Sequence, residues 1–248
     1  MKLIQAQNDQ EVGKLAAQRF IEVIEKKRDA VLGLATGTSP LSTYAALVSA
    51  YRRGEVSFKK VRTLNLDEYV GLDENNEQSY HRFMRENLFD LVDIKPENTH
   101  VPCGTIDPET ACKEYDALLD RYPIDLQLLG IGGNGHLGFN EPGTPVTQRT
   151  HLVNLTENTR RDNSRLFHSL DEVPKQAITT GIYDILRAKE ILLIVLGENK
   201  ANAVAKMLRD PITEACPATI LRKHPNVTVV ADAAALKLLS KEELEALK

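Results

Sequence analysis

A histidine stands inside a run of glycines near the middle of the chain. Gly130–Gly143 reads GIGGNGHLGFNEPG, so His136 has Asn134 two residues before it and Glu141 five residues after it. Glycines let a backbone approach a ligand closely, and an imidazole exchanges protons near neutral pH. An isolated histidine is more often structural than catalytic, but the six glycines around this one favour a functional role in proton transfer.

The same stretch matches the spacing of a dinucleotide-binding loop through Gly130, Gly132 and Gly135. That fingerprint requires a helix to begin within the glycines, and the further glycines and prolines between residues 138 and 145 prevent one. A zinc site has equally weak support, because the six histidines are scattered and the chain has neither an HExxH nor a CxxC motif. The loop is therefore predicted to bind a ligand by another chemistry.

Two acidic residues follow a short apolar strand in the stretch LNLDEYVGL. Asp67 and Glu68 have aromatic and aliphatic neighbours, so a carboxyl group here is expected to be half-buried. Burial raises the pKa of a carboxyl group toward the range that suits a general base, so a carboxyl group at this position is a candidate for that role. The simpler alternative is that Asp67 caps the following turn and Glu68 is solvated.

A third segment, LATGTSP, runs from a strand into a helix that begins with Ser39 as N-cap and Pro40 as first residue. Backbone N–H groups, hydroxyl side chains and the positive end of a helix dipole converge there, which suits a phosphate. The predicted anion site consists of Thr36, Gly37, Thr38 and Ser39. The segment lacks the lysine of a Walker loop, and the alternative is a tight turn with a good N-cap.

Cations that could complete a phosphate site follow later in the chain. Arg160, Arg161 and Arg165 lie in NTRRDNSR, and Lys200 opens a helix after an apolar strand in LGENK. An arginine and a lysine at the same strand ends would suit a phosphate, whereas any one of them alone could be a solvated helix charge.

These segments need a scaffold, and the pattern of the chain predicts one. Buried strands are expected at Ala30–Ala35, Val61–Leu66, Ile124–Gly130, Ile191–Leu196 and Val227–Ala231. Helices are expected before the first of these strands, after Pro40, at Ser79–Phe89, Pro108–Arg121, Pro174–Arg187 and Lys200–Leu208, and along the leucine stripe of the tail. This alternation predicts a single-domain α/β fold with a doubly wound, mainly parallel, Rossmann-like sheet, helices on both faces, and an irregular region from Gly132 to about Thr159.

Composition excludes several classes of protein. The 248 residues carry 31 basic and 35 acidic side chains, and a net charge of −4 is unlike that of a dedicated nucleic-acid binder. Three cysteines without a paired spacing, no signal-peptide pattern and no apolar run of 18 residues predict a reduced, cytoplasmic protein outside the membrane.

Taken together, LGLATGTSP, LNLDEYVGL, GIGGNGHLGFNEPG, NTRRDNSR, VLGENK and PATILRKHPN resemble the glucosamine-6-phosphate deaminase (isomerase) family. The resemblance implies conversion of D-glucosamine 6-phosphate and water to D-fructose 6-phosphate and ammonium, without a cofactor. It further implies one catalytic domain over residues 1–248 with a lid at about 146–175. The only partner it implies is the small sugar phosphate, and self-association is compatible with the sequence.

By position, Asp67 matches the family's base for C2, and His136 matches the residue that catalyses ring opening, supported by Glu141. The phosphate anchor matches Thr36, Gly37, Thr38 and Ser39, together with Arg165 and Lys200. Asn134 stands where some members have Asp, so it can orient His136 but stabilises an imidazolium less strongly. Two alternatives remain: a 6-phosphogluconolactonase-like hydrolase, which should lack DEYVGL and end its loop in Leu-Phe-Pro, and a non-enzymatic sugar-phosphate sensor domain.

Overall fold

The computed structural model describes residues 1–163, 167 and 169–247. Its strands are β1 (Lys2–Ala6), β2 (Val31–Leu34), β3 (Arg62–Asn65), β4 (Asp67–Tyr69), β5 (Thr99–His100), β6 (Leu126–Leu129), β7 (His151–Asn154), β8 (Gln176–Thr179), β9 (Glu190–Val195) and β10 (Val227–Asp232). Its α-helices are α1 (Asp9–Lys26), α2 (Leu41–Arg52), α3 (Tyr80–Asn87), α4 (Pro108–Arg121), α5 (Glu157–Asn163), α6 (Ile182–Leu186), α7 (Ala201–Arg209) and α8 (Lys241–Ala246). Short 3₁₀ turns occupy Phe89–Leu91, Pro96–Asn98, Leu170–Glu172, Glu198–Lys200 and Pro217–Lys223.

Seven strands form one sheet in the order β1-β10-β9-β6-β2-β3-β5, and every neighbouring pair in it is parallel. The five predicted strands are its centre, each within two residues of the expected bounds, which confirms the Rossmann-like α/β fold. The connection through α2 leads outward from β2 to β3, whereas the connection through α4 leads back from β5 to β6. Because such crossovers are right-handed, α2 and α4 cover opposite faces of the sheet.

The helices begin where the sequence supplies an N-cap. Asn8, Ser79 and Asp107 each accept a hydrogen bond from the backbone of the first turn of α1, α3 and α4. The helix after the predicted anion loop begins one residue later than expected: α2 starts at Leu41, and Pro40 holds the N-cap position that we had assigned to Ser39. The tail also differs, because α8 covers only Lys241–Ala246 of the expected leucine stripe.

A second, antiparallel sheet joins β4, β8 and β7 in the order β4-β8-β7. It overturns the helix predicted at Pro174–Arg187, where the chain forms β8 and then the short helix α6. The stretch Gln176–Thr179 is buried between two partner strands, and this tertiary pairing decides its structure. The sheet also orders part of the region predicted as irregular, since β7 lies within it.

One buried carboxylate, at the amino ends of the central strands, links three segments of the chain. Asp125, just before β6, pairs with Lys27 at 2.6 Å and Lys189 at 2.7 Å and accepts from the Val31 N–H at 2.8 Å. Burial alone would raise the pKa of Asp125, but the hydrogen bonds from the two lysines and Val31 outweigh it and lower the pKa. Within the described part of the chain, no helix is both long and apolar enough to cross a membrane.

Candidate active site

A cavity of about 720 Å³ opens at the carboxyl ends of the central strands. Loops that follow β2, β3, β6 and β9 line it, which is where ligands bind in open α/β sheets. The cavity brings together most of the predicted site: Thr36, Gly37, Thr38, Ser39, Asp67, His136 and Lys200. Asn134 and Glu141 lie behind His136 and contact it, whereas the predicted Arg165 lies outside the described residues.

Asp67 opens β4, and its side chain is almost fully buried at the wall of the cavity. Burial, and to a smaller extent the negative charge of Glu68, raises the pKa of Asp67 to about 8. The tyrosines Tyr80 and Tyr115 lie near enough to respond to its charge. Such a carboxyl group accepts and returns a proton near neutral pH, as a proton shuttle requires.

Glu68 is fully buried, which contradicts the alternative in which it is solvated. Its carboxylate accepts from the N–H groups of Tyr69 at 2.8 Å, Tyr80 at 2.9 Å and His81 at 3.1 Å, and it meets His81 Nδ1 at 3.0 Å. The residue that fastens the start of α3 is therefore Glu68 and not Asp67. The sequence carries no local signal for this contact, because Glu68 and Tyr80 are 12 residues apart in the chain.

The glycine loop carries no helix within residues 130–143, all of which the structure describes, so the dinucleotide pattern is correctly rejected. The His136 ring packs directly against Gly132, where the Cβ of any other residue would lie only 2.3 Å from the ring. Gly138 has φ +58°, and a Cβ there would lie 3.3 Å from Asp67 Oδ2, so the loop backbone passes close to the carboxyl group.

His136 and Glu141 form an acid–base pair, with Nδ1 and Oε2 separated by 3.6 Å. The Asn134 amide donates to Glu141 Oε2 across 2.7 Å, while its oxygen accepts from the His136 N–H across 3.1 Å. Burial alone would raise the pKa of Glu141, but the nearby His136 ring and the hydrogen bonds from Thr159 and Asn134 lower it to about 2. Asn134 therefore holds both partners, and Glu141 is an anion at neutral pH.

The anion loop contributes Thr36 to Ser39 to the cavity, with Gly37 at φ +91° in a conformation that suits glycine. Lys200 reaches the same cavity from the start of α7. The two arginines at the start of NTRRDNSR make other contacts. Arg160 donates to the carbonyl groups of Leu170 and Val173, and Arg161 pairs with Glu157. Among the described residues, no group of three or more His, Cys, Asp or Glu side chains is placed to hold a metal ion.

Fold and site together define a Rossmann-like α/β protein in which a histidine–carboxylate pair, a buried carboxyl group and the predicted anion loop surround one cavity. The chain belongs to the glucosamine-6-phosphate isomerase/6-phosphogluconolactonase family, whose model matches residues 5–230. It is 50% identical over 234 residues to the glucosamine-6-phosphate deaminase of Shouchella clausii, covering 94% of this chain and 95% of that one. It is 49% identical over 242 residues to that of Oceanobacillus iheyensis, covering 97% of each.

Solved structures agree with this assignment. A monomeric glucosamine-6-phosphate deaminase superposes with a TM-score of 0.94 at 45% identity, covering 96% of this chain and 100% of the other. The 6-phosphogluconolactonase from Trypanosoma brucei superposes with a TM-score of 0.77 at 18% identity, covering 96% and 98%. The second likeness shows a shared fold alone.

Proposed function

We propose that this protein is a glucosamine-6-phosphate deaminase, which converts D-glucosamine 6-phosphate and water to D-fructose 6-phosphate and ammonium. One observation carries the proposal: a single cavity holds a buried carboxyl group of raised pKa, a histidine–carboxylate pair and an anion loop. An aldose–ketose rearrangement with loss of ammonia needs these three functions. The two relatives described above and the 45% identical structure are glucosamine-6-phosphate deaminases, which supports the same reaction.

The substrate phosphate binds at Thr36, Gly37, Thr38 and Ser39 opposite Lys200, and this remote binding energy holds the open chain in place. Arg165 is proposed as a second cation there. His136, oriented by Asn134 and Glu141, moves a proton from the anomeric hydroxyl to the ring oxygen, so the C1–O5 bond breaks and the ring opens to the aldehyde. Each such proton-transfer group is worth about 10²–10⁴ in rate.

Asp67 then takes the proton from C2 of the open-chain sugar while O1 is protonated, which gives an enolamine. The same carboxyl group returns the proton to C1, so the nitrogen at C2 becomes an iminium. Water adds to C2, and ammonium leaves as the carbonyl of fructose 6-phosphate forms. A pKa of about 8 suits this shuttle, because a group whose pKa lies near the working pH both accepts and returns a proton.

The organisation of the chain follows from this reaction as part of the same proposal. Residues 1–248 act as one catalytic domain, and the segment at about 146–175, which includes β7 and α5, covers the cavity. The enzyme acts in the cytoplasm, where its thiols Cys103, Cys112 and Cys216 stay reduced; all three are free. Its partner is the sugar phosphate, and no nucleic acid or membrane takes part.

The test is an assay of ammonium and fructose 6-phosphate release from glucosamine 6-phosphate, run beside 6-phosphogluconolactone as a second substrate. We expect equal amounts of the two products from the amino sugar, and we expect Asp67→Asn to lower kcat by about 10²–10⁴. Lys200→Met should instead raise KM, because it weakens phosphate binding. Turnover of the lactone alone would establish the hydrolase alternative, and tight binding without turnover of either compound would establish the sensor.

A further inference from the structure

Thr159, the second residue of the NTRRDNSR segment, contacts the proposed catalytic pair. It lies in α5, it is buried, and it lines the cavity. Its hydroxyl donates to Glu141 Oε1 across 2.6 Å, while the Asn134 amide donates to the other oxygen, Oε2. Each oxygen of the Glu141 carboxylate therefore has its own neutral donor, one from the glycine loop and one from α5.

A second hydrogen bond joins Thr159 to Thr156 at the start of α5. The hydroxyl oxygens of Thr156 and Thr159 lie 2.9 Å apart. A hydroxyl has one proton to donate, and that of Thr159 points to Glu141, so Thr156 donates to Thr159. The Thr159 N–H donates back to Thr156 Oγ1 across 3.2 Å. The start of α5 is thus joined to Glu141 by a chain of aligned donors, in which each bond strengthens the next.

These two donors also determine which way the carboxylate faces. With both oxygens held, Oε2 stays 3.6 Å from His136 Nδ1, and a rotation of the carboxylate would break at least one hydrogen bond. Loss of the Thr159 hydroxyl would leave Oε1 without this donor in a half-buried position, which is costly for an anion. Orientation of the acid–base pair thus depends on where α5 lies.

From this geometry we propose that Thr159 is a positioning residue for ring opening: its hydroxyl holds the Glu141 carboxylate against His136, so the placement of α5 sets the geometry of the acid–base pair. The catalytic consequence rests on the proposed function. The contact between Thr159 and Glu141 does not, and it can be tested separately.

The experiment compares Thr159→Val, which removes the hydroxyl but keeps the branched shape, with Thr159→Ser, which keeps the hydroxyl. Each is made in the wild-type chain and in a Glu141→Ala background, and kcat and KM for glucosamine 6-phosphate are measured. In the wild-type chain we expect valine to lower kcat by about 10-fold with little change in KM, and serine to restore most of the rate. In the Glu141→Ala background, valine should change kcat by less than about 2-fold, because the acceptor is already gone.

An equal loss in both backgrounds, or a serine variant as slow as the valine variant, overturns the proposal. If the wild-type enzyme releases no ammonium from this substrate, the proposed function fails, and the same proteins still test the contact. Urea unfolding at pH 7 then provides the double-mutant cycle: the effects of Thr159→Val and Glu141→Ala should be non-additive. Strictly additive effects on the unfolding free energy would refute the inference about Thr159 and Glu141, whatever the activity of the protein.

Discussion

Replacing Asp67 by asparagine should remove activity and make the folded protein more stable at high pH. The fold raises the pKa of this carboxyl group from 3.8 to about 8, mainly by burial and to a smaller extent by the charge of Glu68. Holding the anion in the fold therefore costs at most about 5–6 kcal/mol. Water in the adjoining cavity solvates part of that charge, so we expect the unfolding free energy of the asparagine variant at high pH to exceed that of the wild type by about 2–3 kcal/mol.

The sign of the pH dependence follows from proton binding. Between pH 4 and pH 8 the folded protein binds a proton at Asp67 that the unfolded chain has released, so the wild-type protein loses stability as pH rises through this window. The asparagine variant has no group that titrates at this position, so its stability does not fall in this way as pH rises. The neighbouring phenols Tyr80 and Tyr115 remain neutral here, because burial raises the pKa of each well above its ordinary value. The advantage of the variant should be small near pH 4 and complete at about pH 8 to 9.

Urea unfolding of both proteins at a series of pH values measures this difference, and the ammonium assay on the same samples measures the activity lost. Asp90→Asn is the matched control, because Asp90 is an exposed carboxylate. The control should shift stability by less than about 0.5 kcal/mol at every pH. If Asp67→Asn changed the unfolding free energy by the same amount at pH 5 and pH 9, the raised pKa and the shuttle built on it would be wrong.

Two further predictions concern the glycine loop, at Gly132, and the amino ends of the central strands, at Asp125. Gly132→Ala should lower kcat/KM by about 10²-fold without unfolding the protein, because the new Cβ displaces the His136 ring; Gly133→Ala, whose Cβ would meet its nearest neighbour at 3.7 Å, should keep most of the rate. Equal rates in the two variants would contradict this. Asp125→Asn should destabilise the protein by about 1–3 kcal/mol at pH 7 in urea unfolding, because it removes two ion pairs. The lowered pKa of Asp125 means that this difference should narrow as pH falls below about 4, and a constant difference would argue against it.

Most central strands could be predicted because they are short and mainly apolar, and every residue of β2 and β6 is buried. The strand β3, which reads RTLN, is the exception in composition. The helix α4 begins and ends where predicted, since Asp107 and Pro108 provide a local start signal. Outer strands escape this reasoning. The strand β1 has an exposed Lys2 and Gln5, and its structure depends on pairing with β10 at the far end of the chain.

The site shows the same division between local and distant signals. Asp67, His136 and the predicted anion loop could be singled out from residue types and spacing, because each motif is one continuous segment. The role of Asp67 as a base followed only from the family resemblance. Contacts that join one of these segments to another are not visible in this way. Glu68 binds the start of α3, and Thr159 reaches Glu141 from another segment. Contacts of this kind arise from tertiary packing, so their residues look like ordinary polar side chains in the sequence.

The strand β8 explains how the two catalytic motifs come together. Thr179 in β8 pairs with Asp67 in β4, and its hydroxyl accepts from the Phe139 N–H of the glycine loop across 3.2 Å. The next residue, Thr180, accepts from the Asn140 amide across 2.9 Å. One buried segment thus sets the register of the strand that carries Asp67 and the position of the loop that carries His136. Because that segment was predicted to be helical, the sequence identified both motifs but not the element that joins them.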